Sequence, residues 1–314
     1  MLRLAKRGLT LVELLVVLAV VGLLLGLLLP AVQGAREAAC RARCTNNFKQ
    51  FGLAISGYES TYNSFPYAFD SANYSLHVGL LPFMERESLY NSMNLSINSK
   101  IAYFEGVNAT AVAARGDALL CPSDGSNSGP GQTNYAACIG DGRPGVLDNG
   151  IFGTLTRPQS VVDGMTTTAT MSEILTGVKI DPAGAGGGGD RLRTFHNVQV
   201  HAGADDAEQF ESRCRGLDGV AADPFNLKDD LWYVGAPYST LYDHFLTINQ
   251  PSCNNFAGTK SVLAAITAGS MHPGGANCLY ADGHVRFIRD TVDPLVWRAT
   301  GTKDGGELAT SGTG

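Results

Sequence analysis

The feature that most constrains this chain is an uncharged apolar run near its amino end. Residues 14–29 read LLVVLAVVGLLLGLLL, sixteen positions without a charged side chain. Together with residues 9–12, the run is long enough to cross the hydrocarbon core of a bilayer as one α-helix. Basic residues are enriched on the cytoplasmic side of membrane helices, and here the run follows Arg3, Lys6 and Arg7. We therefore expect a single-pass helix with a cytoplasmic amino end.

One carboxylate, Glu13, interrupts the apolar segment close to its start. A charged group inside a membrane helix is costly and usually has a function or a partner. A secretory signal peptide cleaved near residues 33–35 would leave Glu13 unexplained and would discard a helix that continues past residue 30. A simple membrane anchor explains the hydrophobicity, but it explains neither Gly8 nor Glu13. Neither interpretation accounts for the whole segment.

A third interpretation uses every residue of the string RGLTLVE around Gly8. This string resembles the leader and cleavage motif of type IV prepilins and of type II secretion pseudopilins, with Leu9 in place of the usual phenylalanine. The resemblance implies a leader of residues 1–8, cleavage between Gly8 and Leu9 by a prepilin peptidase, and methylation of the new amino terminus. Glu13 is then the fifth residue of the mature chain and Pro30 the twenty-second, where pilins carry a glutamate and commonly a proline.

The same resemblance implies a chemical role for Glu13 in assembly. Cleavage leaves a positive amino group on Leu9, which Glu13 of a neighbouring subunit neutralises in the apolar core of a filament. Two charges about 4 Å apart attract by about 4 kcal/mol at an effective dielectric of about 20. Desolvation offsets much of this energy, so the pair is expected to set the axial register of subunits more than to add net stability.

Beyond Pro30 the helix is predicted to continue and to change character. Cys44, Phe48 and Ile55 fall on one stripe at helical spacing, as in a helix that lies on a protein core. Pro30 removes one backbone donor and is expected to kink or loosen the helix. Glycine and serine residues predict that it ends near residue 57. The transmembrane and assembly helix is therefore assigned to residues 9–57.

Residues 58–314 are predicted to form a globular head. Short helices are expected at 76–93, after Pro82, and at 100–115; strands are expected at 135–139, 151–155, 166–171, 194–201 and 278–288. The 38 glycines favour turns and irregular β structure over a helical bundle. The predicted fold class is α+β: a long amino-terminal helix, half membrane-spanning and half amphipathic, packed on a mainly antiparallel β head.

A hairpin near the carboxyl end is the most specific local prediction. Asp282 and Gly283 form the dipeptide preferred in two-residue type I′ turns. That turn would pair Tyr280 with Val285 and Cys278 with Phe287 on a buried face. Leu279 would pair with Arg286, and Ala281 with His284, on the other face.

The hairpin belongs to a second resemblance. His272, nine intervening residues, and Asp282-Gly283 resemble the His-x9-Asp-Gly signature of a large bacterial family of pilin-like proteins whose head has no established function. The strings CTNNFKQ, SFP, LLPF, CPSD, NGIF and DGMT match that family in the same order. The likeness extends from residue 7 to about residue 307. The likeness is weakest over residues 172–260, and this segment is predicted to be a variable insertion.

Charge and cysteine content limit the partners of the head. The chain carries a net charge of −6, which becomes −9 without residues 1–8, and a nucleic-acid partner is therefore not expected. The seven cysteines include no C-x-x-C pair, and the histidines lack zinc-finger spacing, so the sequence does not predict a structural zinc site. An exported domain with disulfides fits better. Cys40 and Cys44 are poorly placed to bond to each other, and a disulfide from this helix to the head stays open beside a simple packing role.

Acidic and histidine side chains of the head suggest two kinds of chemistry. His272 and Asp282 could form an acid–base pair, but each has a structural explanation and no hydrolase motif accompanies them. The chain is therefore predicted not to be an enzyme and to require no cofactor. The alternative of a calcium site rests on Asp282, Asp290 and Asp293, since major pseudopilins bind calcium near their carboxyl-terminal β region.

Three functions follow from these patterns. The first is a subunit of a type IV pilus-like extracellular filament, a homopolymer made from an inner-membrane precursor by prepilin peptidase and pilus machinery. The second is a pseudopilin of a type II secretion system, and the large head favours the first over it. The third is a membrane-tethered solute- or glycan-binding protein, with an aromatic platform of Trp232, Tyr233, Tyr238 and Tyr242.

Overall fold

The computed structural model describes most of the chain outside the leader. The described residues are 11–114, 116–125, 131–142, 149–153, 155–177, 191–198, 206–217, 228, 231–237, 239–254 and 264–306. The predicted leader, the predicted cleavage site at Gly8 and Leu9, and Tyr238 lie outside them, as do parts of the insertion predicted at 172–260.

The first helix, α1, spans Leu11–Tyr62 without interruption, 52 residues in all. Its first half is rich in leucine, a good helix former, and the helix continues through Pro30. Its second half buries one stripe, as predicted, and the buried residues are Cys44, Asn47, Phe48, Phe51, Ala54 and Ile55. The long helix with two different halves, packed on a globular head, is thus confirmed.

The predicted end of α1 near residue 57 is wrong. The helix stops at Tyr62, where Asn63 adopts a left-handed φ of 54° and its N–H donates to the Glu59 carbonyl at 2.7 Å. Gly57 lies inside the helix because the head approaches it closely. A Cβ atom there would lie 3.1 Å from Cδ1 of Phe83. Gly57 therefore permits the close approach of Phe83 and does not end the helix.

Short helices follow α1 along the head. They are α2 (Leu76–Leu80), α3 (Glu87–Ser92), α4 (Ser99–Glu105), α5 (Ala109–Ala113), α6 (Asp206–Arg215) and α7 (Pro294–Ala299). A 3₁₀ turn at Leu81–Met84 separates α2 from α3, so the helix predicted at 76–93 is three short pieces. The sequence patterns did not indicate α6 or α7.

Eight described strands form two mixed sheets. They are β1 (Tyr135–Cys138), β2 (Ala169–Glu173), β3 (Phe195–Asn197), β4 (Leu241–Tyr242), β5 (Ser252–Asn254), β6 (Ala264–Ala265), β7 (Gly275–Tyr280) and β8 (Val285–Arg289). The larger sheet has the order β4-β1-β2-β7-β8, and the smaller has the order β3-β5-β6. The β1–β4 and β3–β5 pairs are parallel and the others antiparallel, so the head is an α+β fold with mixed sheets.

The strand predicted at 151–155 is wrong, because Ile151 and Phe152 lie in a turn. Both side chains are nevertheless fully buried. The backbone of this turn bonds to the segment after α1: the N–H of Ala68 donates to the Phe152 carbonyl at 2.9 Å. The apolar pattern there reflects burial and not strand formation.

The β7–β8 hairpin forms at the predicted place but with another register. Leu279 pairs with Val285 and Cys278 with Arg286, one position from the predicted pairing. Gly283 adopts a φ of 84° and donates its N–H to the Tyr280 carbonyl, so the connection is a three-residue loop with a left-handed glycine. The predicted buried face is therefore incorrect, and β7 is buried along its whole length.

The hairpin and α1 share the main core of the head. Phe48 and Tyr135 meet edge to face with ring centroids 4.8 Å apart. At the hairpin loop, the Lys49 ammonium donates to the Gly283 carbonyl at 2.8 Å. Along β8, the Arg41 guanidinium lies 3.5 Å from the Phe287 ring centroid. The carboxyl-terminal strands therefore hold the second half of α1 and leave its first half outside the head.

A buried ion pair connects the loop before β1 to the segment before β3. Arg193 and Asp124 are almost fully buried, and their side chains approach to 2.7 Å. Asp124 also accepts hydrogen bonds from Asn134 and from the backbone and hydroxyl of Thr176. Burial alone would raise the pKa of Asp124, but the contacts with Arg193 and Thr176 prevail and lower it to about 2.

We expect Asp124→Asn to lower the free energy of unfolding by about 3–5 kcal/mol at pH 7, because the buried Arg193 guanidinium would lose the ionised carboxylate that it contacts at 2.7 Å. Since the folded pKa lies below the ordinary value of 3.8, the stabilisation is complete above that value and declines as the pH falls through about 2. The difference in free energy of unfolding between the wild type and Asp124→Asn should thus be about 2 kcal/mol smaller at pH 2 than at pH 5. Urea unfolding at both pH values measures it.

The exposed Asp304 provides the control for this prediction. Asp304→Asn should change the free energy of unfolding by less than about 0.5 kcal/mol at either pH. An equal difference between wild type and Asp124→Asn at pH 5 and pH 2 would contradict the role given to the ionised carboxylate.

Candidate functional site

The first functional element is the apolar half of α1, here called the assembly segment and defined as Leu11–Val32. All of its residues are exposed on the isolated chain, and Leu11 and Leu25 expose 77% and 62% of their surface. By length and composition α1 is able to cross a membrane. Such a surface is stable only in contact with lipid or with other apolar surfaces.

Two of the predicted assembly residues can be placed on this segment. Glu13 lies in the first turn of α1, where the helix dipole favours a carboxylate. Pro30 lies within the helix and cannot donate to the carbonyl one turn earlier, at Gly26. The processing residues Gly8 and Leu9 precede the described residues, so cleavage there stays a prediction of the sequence.

The second element lies where the assembly segment meets the head. We call it the junction cluster and define it as Glu37, Cys44, Cys121, Glu173 and His272. Glu37 and Cys44 come from α1, Cys121 from the loop before β1, Glu173 from the end of β2, and His272 from the loop before β7. Segments distant in sequence therefore meet at one point.

His272 is the centre of the junction cluster. Its Nδ1 atom contacts the Glu37 carboxylate, and its Nε2 atom lies 3.4 Å from Oε1 of Glu173 and 3.4 Å from Sγ of Cys121. The imidazole ring is fully buried. Burial lowers the pKa of His272, but the two carboxylates outweigh burial and raise it above its ordinary value. The histidine of the His-x9-Asp-Gly signature thus ties the head to α1.

The two carboxylates of the cluster are held in place by other groups. Glu173 is 1% exposed and accepts from the backbone N–H of Asn277 at 2.8 Å and from its side-chain amide at 2.9 Å. Glu37 accepts a hydrogen bond from the Ser123 hydroxyl at 3.0 Å. The buried Glu173 carboxylate requires such partners, because an unpaired charge in the core is very costly.

A disulfide between Cys44 and Cys121 completes the junction. Their Cα atoms are 5.4 Å apart and the two residues are separated by 77 positions. A second disulfide joins Cys214 to Cys253, and Cys40, Cys138 and Cys278 are free. The question left open by the sequence is thereby answered: Cys44, and not Cys40, connects the helix to the head.

The structure does not bring His272 and Asp282 together as an acid–base pair. Asp282 accepts from the backbone and from Nδ1 of His284, at 3.0 and 2.5 Å, within the hairpin loop. Its pKa is lowered because these bonds outweigh partial burial. The two residues of the signature, His272 and Asp282, therefore have separate structural roles. The absence of enzymatic activity stays a prediction.

The three carboxylates considered for calcium lie on different elements. Asp282 binds His284, Asp293 caps α7 by accepting from Leu295 and Val296, and Asp290 follows β8. Among the described residues, the group of metal-binding side chains that converge is instead Cys44, Cys121, Glu173 and His272. Calcium at the three aspartates stays an untested prediction.

Sequence reasoning missed Glu37 and Glu173, which are the partners of His272. Glu173 could have been noticed, because it lies inside the apolar string MSEIL, where a carboxylate needs a buried partner. Glu37 lies seven residues before Cys44, two helical turns away on the same face. Its partner is 235 residues away, so no local pattern could identify it.

The aromatic platform predicted for a glycan is wrong for the three of its members that are described. Trp232, Tyr233 and Tyr242 expose 1% or less of their surface. The Trp232 indole donates to the Val112 carbonyl at 3.1 Å. These rings form part of the core, since aromatic residues bury the largest apolar area available.

Comparison with known protein families gives two matches. A family described as a protein of unknown function (DUF1559) matches residues 33–295, and the prokaryotic N-terminal methylation motif matches residues 3–29. No curated protein and no solved structure gives a match. The two matched regions meet near residue 30, where the assembly segment gives way to the half of α1 that carries the head.

Proposed function

The chain belongs to the DUF1559 family of proteins of unknown function, and from this premise we propose that it is a structural subunit of a type IV pilus-like extracellular filament. Its N-terminal methylation motif makes it a type IV pilin-like or pseudopilin-like precursor, anchored in the membrane and processed by prepilin peptidase. The filament, its homopolymeric composition and its extracellular location are the parts that we propose.

The observation that carries the proposal is the contrast between the two halves of α1. From Leu11 to Gly34 the helix is exposed and carries a single charge, at Glu13. At about 1.5 Å per residue these 24 residues extend for about 36 Å, more than the roughly 30 Å of bilayer hydrocarbon. The same surface could be buried against identical helices once the subunit leaves the membrane.

The junction supports the same function, because a filament subunit must transmit force between its helix and its head. The disulfide, the contacts of His272 and the packing of Phe48 and Phe51 fix α1 to the head at several points. A tethered binding protein would need only a flexible linker at this place. The head is thus held at a fixed position on the helix, as a regular polymer requires.

A pseudopilin of a type II secretion system would use the same amino-terminal chemistry. The two roles differ in where the polymer ends: a pilus extends outside the cell, whereas a pseudopilus stays in the periplasm. The head predicted at residues 58–314 is large for a major pseudopilin, which favours the pilus. Nothing in this proposal requires catalysis or a cofactor.

Shearing of intact cells tests this proposal. We expect the sheared fraction to contain long filaments that react with antibodies to the head, as seen by electron microscopy. Chain that is found in cells only as membrane-bound or periplasmic material, with no sheared filaments, would contradict the pilus role. An outer-membrane protein serves as the control for cell breakage.

A further inference from the structure

The junction cluster has the composition and geometry of a metal site. We propose that, when Cys44 and Cys121 are reduced, their thiolates bind one Zn²⁺ ion together with Nε2 of His272 and a carboxylate oxygen of Glu173. One ligand atom from each of these four residues lies within 4.8 Å of the other three, and all four residues are buried. The proposal is independent of the filament role.

The distances within the cluster suit tetrahedral zinc. In such a site, zinc–ligand bonds of about 2.0–2.3 Å place the ligand atoms roughly 3.3–3.8 Å from one another. The His272 Nε2 atom lies 3.4 Å from both Oε1 of Glu173 and Sγ of Cys121. Two edges of the tetrahedron thus have the required length, and reduction frees Cys44 and Cys121 to move apart to complete the others.

The ligand types favour zinc over other common cations. Two thiolates and one imidazole are soft and borderline ligands, which suit Zn²⁺ and do not suit Ca²⁺ or Mg²⁺, and Zn²⁺ also accepts a carboxylate oxygen. The sequence did not predict this site because the ligands are separated by 77, 52 and 99 positions, and none has zinc-finger spacing. Only the packing of α1 on the head brings them together.

The surroundings of His272 provide a second, independent argument. A histidine that binds a metal through one nitrogen usually donates its other N–H to a carboxylate. Here Nδ1 contacts the Glu37 carboxylate, so Nε2 is directed towards the Glu173 carboxylate and the two sulfur atoms. Nε2 of His272 and Oε1 of Glu173 lie 3.4 Å apart, so one Zn²⁺ ion placed between them can contact both atoms.

The two forms interconvert by thiol–disulfide exchange. A disulfide oxidant R–S–S–R takes two electrons from the two cysteine thiolates, so its own S–S bond breaks and the Cys44–Cys121 bond forms. Its two sulfur atoms take two protons from solvent and leave as two R–SH groups. Zn²⁺ is released at the same time. Both forms connect α1 to the head.

The full chain in detergent provides the test. Reduced, metal-free protein is titrated with Zn²⁺ against a chromogenic chelator, and bound metal is counted by mass spectrometry; Co²⁺ is then used as a spectroscopic probe. We expect one Zn²⁺ per reduced chain, thiolate-to-cobalt charge-transfer absorption, and no binding by the oxidised chain. A reduced chain that binds no more Zn²⁺ than the oxidised chain overturns the proposal.

Variants separate this site from other thiols. Cys121→Ser should abolish the stoichiometric binding, whereas Cys40→Ser, which removes a free cysteine one turn from Cys44, should leave it unchanged. Glu37→Gln, which alters a positioning residue and no ligand, should weaken Zn²⁺ binding about 10–100-fold with one ion still bound at saturation. Unchanged affinity in both Cys121→Ser and Glu37→Gln overturns the proposal, and circular dichroism verifies that each variant is folded.

Discussion

Cells that produce Glu13→Ala are expected to make at least about 100-fold fewer filaments than wild-type cells, with normal amounts of precursor in the membrane. In an assembled filament, Glu13 of one subunit would face the amino group of Leu9 on another, within apolar surroundings. Removing one member of a buried charge pair costs about 3–5 kcal/mol, because the remaining charge stays unneutralised. Each tenfold change in an equilibrium constant corresponds to about 1.4 kcal/mol.

Glu59→Gln provides the control, since it removes one carboxylate near the other end of the same helix. Filament counts in the sheared fraction and immunoblots of the membrane fraction measure the two quantities separately. Normal filament numbers in Glu13→Ala would contradict the assembly role of this residue. If the precursor is lost from the membrane, the carboxylate acts in insertion and the filament argument fails.

The second large effect concerns the attachment of the head to α1. Phe48→Ala should lower the free energy of unfolding by about 3–5 kcal/mol, because it leaves a cavity where a fully buried ring meets Tyr135 edge to face. For a head of this size, the corresponding fall in Tm is roughly 6–20 °C. Thermal unfolding of the detergent-solubilised chain measures the change.

Leu53→Ala is the matched control on the same helix, five residues further on. Its side chain is 75% exposed, so truncation should change the free energy of unfolding by less than about 0.5 kcal/mol. Equal losses of Tm for the two variants would show that burial on this face does not fix the head. The comparison holds only for the monomer in detergent, where no neighbouring subunit covers Leu53.

The amino-terminal helix could be predicted from the sequence because its signals are local. An apolar run, one carboxylate and a proline all act on the segment that contains them, so their order along the chain is sufficient. The amphipathic half of α1 could also be predicted from the sequence, since Cys44, Phe48 and Ile55 recur at helical spacing. The structure shows that all three are buried. The end of α1 could not be predicted from the sequence. Gly57 is a glycine because Phe83, which belongs to another element, packs closely against it.

For the β7–β8 hairpin, the sequence predicts the position of the loop but not the register of the strands. Asp282-Gly283 fits both a two-residue loop and a three-residue loop with a left-handed glycine, and the two differ by one position in register. The observed register brings the Gly283 carbonyl to within 2.8 Å of the Lys49 ammonium on α1, a contact between distant segments that the turn sequence does not encode. Local turn chemistry located the loop, but it could not select the register.

The junction cluster is the part of the molecule that the sequence predicts least well. His272 was recognised by its spacing from Asp282, yet its partners are Glu37 and Glu173. They lie 235 and 99 residues away, and only the folded head brings them to the imidazole. Likewise, the cysteine spacings excluded a zinc finger, but they could not exclude a site assembled from distant segments.

The most direct test of the account is mass spectrometry of the mature amino terminus. If the chain is a processed prepilin-like subunit, the terminal peptide begins at Leu9, carries one methyl group on its amino nitrogen, and lacks residues 1–8. A terminus at Met1 would mean that no processing occurs, and a terminus near residue 35 would identify a secretory signal peptide. Either result would contradict the account, because both remove the Leu9 amino group that Glu13 is expected to neutralise.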